Sequence, residues 1–162
     1  MAGVVREVIQ LEARSLPSTT LANGILTVKP SVSLHHNIYQ AVIEQVGSQL
    51  KVSEFALGNH QVPIGITFVA SADVKLLVMH GNIHGYNILT NDTGKACWLV
   101  GGNLTDALTG GSGYNTIDGR GGEDHVFLTN GGVSVLTGDR DVVVVGAKDI
   151  WSGGAHEKVY PV

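Results

Sequence analysis

Apolar and polar positions alternate in short runs along much of this chain, and from Gly101 onward they fall into a fixed period. Read in nines, residues 101–145 give GGNLTDALT, GGSGYNTID, GRGGEDHVF, LTNGGVSVL and TGDRDVVVV. An acid or amide stands sixth in the first three blocks (Asp106, Asn115, Asp124). An aliphatic stands eighth in the first four (Leu108, Ile117, Val126, Val135). A glycine-rich turn, a polar residue and a buried aliphatic, repeated at constant spacing, predict a solenoid. Each block should make a tight turn and then a short strand whose aliphatic points inward and whose neighbours point outward. One such coil cannot bury its own face, so stacking must supply the core. The expected fold is therefore an all-β solenoid, with room for a short N-terminal capping helix.

If two blocks make one coil, residues eighteen apart share an edge. Asp106 and Asp124 then lie side by side, with Asp141 one residue short of the next place. The opposite edge carries Cys97, Asn115 and Val133 and no carboxylate, so the potential chemistry sits on one edge.

Upstream the pattern is looser. Residues 4–16 (VVREVIQLEARSL) fit an amphipathic helix or an opening strand, either of which could cap the first coil. Pro17 to Asn23 reads as a loop, and GILTVKPSVSL as two strand-like runs broken at Pro30. NIYQAVIEQVGSQLKV is ambiguous: Ile38, Val42 and Gln45 track a helix face, while QLKVSEFAL alternates like a strand. VPIGITFVA, DVKLLVMHG, YNILTN and ACWLVGG are short β-rich runs between turn residues. Phe68, Leu77, Ile88, Leu99 and Leu108 follow one another at nine to eleven residues, which places irregular coils before the glycine-rich ones. The chain is thus expected to be one solenoid domain over 1–162. A cap and first coils occupy 1–60, irregular coils 61–100, the regular roll 101–146 and a tail 147–162.

Composition supports this picture. Glycine is abundant (22 residues) and aromatics few, which favours a turn-rich all-β fold. The net charge of −4 is concentrated in residues 101–146, where six acids (Asp106, Asp118, Glu123, Asp124, Asp139, Asp141) face only Arg120 and Arg140. An acidic edge invites a cation and lacks the basic footprint that nucleic acid requires. A lone cysteine, Cys97, excludes an intramolecular disulfide. No apolar run is long enough for a membrane-spanning helix, and the charged N-terminus has no signal-peptide core.

GGSGYNTID followed by GRGGEDHVF resembles the hemolysin-type RTX nonapeptide GGxGxDxUx, where U is a large aliphatic. The similarity covers residues 101–145 and is imperfect: Leu104 replaces the third glycine, Asn115 the aspartate, and Arg120 the second glycine. The resemblance implies a bacterial calcium-binding β-roll, and with it a right-handed parallel β-solenoid of the β-helix or β-roll kind. It also implies export outside the cell by a non-Sec, type I-like route, with the cytoplasm as the alternative. The tail AKDIWSGGAHEKVYPV leaves that route open. Calcium takes six to eight hard oxygen ligands. The expected metal set is Gly101, Asp106, Gly119, Gly121, Gly122 and Asp124, with Asp139 and Asp141 forming a weaker second site.

Other chemistry is sparse. His80 and His84 are four apart, but their segment is broken by glycine and does not read as a helix. His35 and His36 are adjacent and so face opposite sides of a strand. No GxSxG, Walker A or zinc-protease motif is present, and Cys97 sits in an apolar run, so a non-catalytic binding, adhesion or structural role is expected. The alternatives are a metal-independent assembly module and a polysaccharide-active enzyme using Asp118, His84 or Tyr86 on a solenoid face. The outward positions Ala107, Thr109, His125 and Phe127, then Val143 and Val145, make a face that grows more apolar toward the C-terminus. Such a face calls for a cover: the N-terminal segment, a second copy or another protein.

Overall fold

The computed structural model describes residues 19–30, 38–57, 61–128, 130–138, 141–148, 150–152 and 158–162. Among the described residues, fifteen strands form two sheets that face each other across one hydrophobic core. Alternation of buried and outward residues along nearly every strand drives this arrangement, because each strand has one face to hide. The expected helix face through Ile38, Val42 and Gln45 is instead strand β3, whose buried Tyr39, Ala41 and Ile43 alternate with less buried neighbours.

The chain opens with a hairpin. Strands β1 (Thr20–Ala22) and β2 (Ile25–Val28) pair antiparallel around Asn23 and Gly24, both at positive φ, where a loop was expected. β3 (Ile38–Val46), β4 (Gln49–Leu57) and β5 (Gln61–Ala70) then form an antiparallel meander. After a short 3-10 turn at Ser71–Asp73 the chain winds as a solenoid of about four turns, with successive strands alternating between the sheets.

β6 (Leu76–His80), β8 (Ala96–Val100), β10 (Tyr114–Asp118), β12 (Val133–Thr137) and β14 (Ile150–Ser152) follow β2 in the first sheet, all parallel. The second sheet runs from β3 through β7 (Tyr86–Asp92), β9 (Ala107–Thr109), β11 (His125–Leu128), β13 (Val142–Val145) and β15 (Lys158–Pro161), again parallel. The described residues contain no α-helix; residues 4–16, expected to supply the cap, lie outside them.

Register stacks the inward residues into rows. In the first sheet Val28, Met79, Leu99, Ile117 and Leu136 follow one another; in the second, Ala41, Leu89, Leu108, Val126 and Val143 do. All are buried. Leu77, Leu99 and Leu108 were expected inside and are, but Phe68 lies in the antiparallel meander with half its surface exposed, and Leu89 rather than Ile88 points inward.

Three further expectations fail for one reason, a change in coil length at a corner. Ile117 lies opposite Leu136, so Leu136 and not Val135 is the inward residue, and Asn115 is followed by Ser134 rather than Val133. Near the C-terminus the coil is one residue shorter: Val126 pairs with Val143. Val143 and Val145 are therefore buried, and the outward residues beside Phe127 are Val142 and Val144. Shifting a strand by one residue exchanges its faces, so a corner insertion or deletion changes which residue is inward without disturbing the ladder.

Candidate functional site

Coil corners are where backbone groups escape the ladder, and the sequence meets this with a polar residue at the first inward position of the following strand. Asn115 shows the complete solution. Its Oδ1 accepts the Gly111 N–H at 3.1 Å, while its Nδ2 donates to the carbonyls of Gly111 (2.9 Å) and Gly113 (3.1 Å). Asn87 does the same at the other edge, accepting from Asn82 N–H at 2.6 Å and donating to the Asn82 and Gly85 carbonyls. An amide can both donate and accept, so these corners close on themselves.

Stacked beyond Asn87 on the same edge are Asp106, Asp124 and Asp141, all buried. The expected row of carboxylates exists, and it lies inside the coil. Asp106 is well supplied with donors. Its Oδ1 accepts from the backbone N–H (2.7 Å) and side-chain Nδ2 (2.8 Å) of Asn87, and its Oδ2 accepts the Gly102 N–H at 2.5 Å. Burial raises its pKa, and these three bonds oppose the rise.

Asp124 differs. Its Oδ1 accepts the Asp106 N–H at 2.8 Å, but no donor reaches Oδ2, although the residue is fully buried. The reason is legible in the turn. By analogy with Gly102, the N–H of Arg120 should cap Asp124, yet it donates to Asp118 Oδ1 at 3.1 Å, and Arg120 adopts a positive φ of 68°. The arginine that replaces the second glycine of the repeat thus accompanies a diverted donor. Burial pushes the Asp124 carboxyl up to about 7, opposed by the Asp106 N–H and reinforced by the neighbouring carboxyls of Asp106 and Asp141.

The glycines at this edge serve space as much as conformation. A Cβ at Gly101 would collide with Asp106 Oδ2, one at Gly119 with Asp124 Oδ2, and one at Gly138 with Asp141 Oδ2. Gly122 has φ +113° and would press on the Leu104 backbone, whereas Gly121 lies in ordinary contact with Asn103. Asp139 lies outside the described residues. Among the described residues, no group of three or more His, Cys, Asp and Glu side chains is arranged to hold a metal ion.

The remaining candidates disperse. His84 and His125 are exposed, and His80 is half-buried at the end of β6, with its pKa lowered by burial and then by Arg120 and Lys29. His35, His36, His60 and His156 lie outside the described residues. Asp118, His84 and Tyr86 belong to the corner regions on the carboxylate edge, and Asp118 accepts the Arg120 N–H at 3.1 Å. Cys97 is buried in the core and burial pushes its thiol pKa up, as befits a structural thiol.

One polar cluster escaped the sequence reading. Glu54 is buried at the N-terminal mouth of the solenoid, where Tyr39 Oη donates to its Oε1 and Thr19 Oγ1 to its Oε2 at 3.2 Å. The alternation that opens β4 could have flagged it, because Leu50, Val52 and Glu54 share the inward parity. Burial raises the Glu54 pKa, and the bonds from Tyr39 and Thr19 oppose that shift.

Fold and site together define a β-solenoid with a buried polar row, Asn87–Asp106–Asp124–Asp141, along one edge. No family model, no curated protein and no solved structure matches the chain. No helix among the described residues is long and apolar enough to cross a membrane.

Proposed function

We propose that this is a small, non-catalytic β-roll protein whose carboxylate edge takes up a calcium ion at the Asp124 step, acting as a binding or structural module outside the cell. The observation that carries the reading is Asp124 Oδ2, a buried carboxylate oxygen that no donor reaches. Leaving such an atom without a donor costs about 1–3 kcal/mol, and a hard divalent cation is its natural partner. Asp124 and Asp141 would hold the ion with corner carbonyls. Asp106, expected as a principal ligand, already accepts three hydrogen bonds and is better read as the end of the row. A bound calcium would cancel the repulsion between stacked carboxylates and tie adjacent coils together. That suits a module that folds where calcium is plentiful.

The test is calorimetric calcium titration with thermal unfolding in chelator and in excess calcium. A ligand that binds only the folded state raises stability by RT ln(1 + [L]/Kd), so a real site moves the midpoint upward. The shift should vanish in Asp124→Ala. A midpoint indifferent to calcium would refute the reading. It would favour the metal-independent assembly module.

A further inference from the structure

The outward face of the first sheet is a second, unrelated feature. Register aligns Ile25, Leu76, Ala96, Tyr114, Val133 and Ile150 in one outward row, and Thr27, Val78, Trp98, Thr116, Val135 and Ser152 in the next. Neither row contains a charged residue. The second sheet's outer face, by contrast, carries the Glu44–Lys51 ion pair (2.8 Å) together with His125 and Lys158. Strands β6, β8 and β10 leave a shallow hollow of about 320 Å³, lined by Leu76, Ala96, Cys97, Trp98, Tyr114 and Thr116. That volume lies within the range of small-molecule sites.

Two aromatics dominate the hollow. Trp98 is 45% exposed and Tyr114 53%. Tyr114 lies beside Ala96, so Trp98 is its diagonal neighbour on the adjacent strand, about 8 Å away from strand spacing and rise. Two exposed aromatics within uncharged rows make a contiguous apolar patch, the kind of surface that marks an interaction site.

We infer that this hollow is a docking site for a neutral, equatorially linked glycan, with sugar rings lying on Trp98 and Tyr114. Charge selects the occupant. Nucleic acid and anionic lipid require a basic floor, and these rows have none. A neutral pyranose chain presents axial C–H groups on its faces and hydroxyls along its rim. The C–H faces match the electron-rich aromatic faces, and the hydroxyls match Thr116 and the Tyr114 hydroxyl. Parallel pairing within the solenoid fixes the backbone beneath both aromatics, so binding needs to order only their side chains. The site is independent of the carboxylate edge.

Cellohexaose and chitohexaose, titrated calorimetrically and by tryptophan fluorescence into wild type, Trp98→Ala and Tyr114→Ala, test this. Wild type should bind one of them with a dissociation constant in the micromolar to millimolar range. Each substitution should weaken binding about tenfold or more, the loss expected when an aromatic contact is removed. Both side chains are about half exposed, so the variants should stay folded with only a small drop in midpoint, and Asp124→Asn should bind the glycan normally. Absence of binding to both probes, or binding unchanged in Trp98→Ala, overturns the inference. So does a dimerisation abolished by Trp98→Ala in a protein that binds neither sugar, because the face would then serve a second copy of the chain.

Discussion

Replacing Asp124 by asparagine should stabilise this protein when no cation is present. The Asp124 carboxyl titrates near 7 against a usual 3.8, a difference of about three units at about 1.4 kcal/mol each. Keeping it ionised inside the coil therefore costs the folded state about 4 kcal/mol above pH 7, to order of magnitude. The sign follows from a raised folded-state pKa: the contribution is favourable below about pH 4 and is lost as pH rises through about 7. Asparagine is neutral throughout, and its Nδ2 can donate to corner carbonyls as Asn115 does to Gly111 and Gly113. In chelator at pH 8 the variant should gain about 2–4 kcal/mol, or roughly 5–15 °C in midpoint for a chain of this size. Urea unfolding at pH 5 and pH 8 is the assay. Wild type should be weaker at pH 8, the variant nearly level, and calcium should close the gap for wild type alone. If Asp124→Asn is no more stable than wild type at pH 8 in chelator, the account of the buried carboxylate is wrong.

Other consequences can be checked with the same material. Asn115→Asp would set a carboxylate against the Gly111 and Gly113 carbonyls, and should cost about 2–4 kcal/mol in chelator by urea unfolding. Tyr39→Phe removes one of the two side-chain donors to Glu54 and should cost about 1–3 kcal/mol in the same assay, with Thr19 left as the remaining one. Cys97, buried and with a raised thiol pKa, should resist thiol reagents in the native protein and react on unfolding, so its labelling rate measures opening of the core.

The nine-residue period exposed the fold because each block couples a turn to an inward aliphatic, and stacking leaves that residue no alternative. Leu108, Ile117 and Val126 are inward for this reason. Prediction by fixed spacing failed where a corner gained or lost a residue: Leu136 replaced Val135, and Val142 with Val144 replaced Val143 with Val145 on the outer face. Coil length is set by local turn geometry, which the period does not encode. The row of aspartates could be read from spacing, but the distinction between Asp106 and Asp124 could not. It depends on where the Arg120 N–H points, and on Asn87 lying next to Asp106. Glu54 was missed because its two donors, Tyr39 and Thr19, are distant in sequence.

The antiparallel meander of β3, β4 and β5 also gives the molecule a direction in time. Its pairings join neighbours in sequence through short turns, whereas every parallel coil must close a loop of many residues before its first contact forms. Hairpins form within microseconds, ahead of parallel pairing, so the meander should be complete while the glycine-rich coils are still chain. β7 then finds a finished edge on β3, and each later coil finds one on the coil before it. The expected order is therefore meander first and coils after it, and pulsed hydrogen exchange during refolding should protect β3, β4 and β5 before β11 and β13.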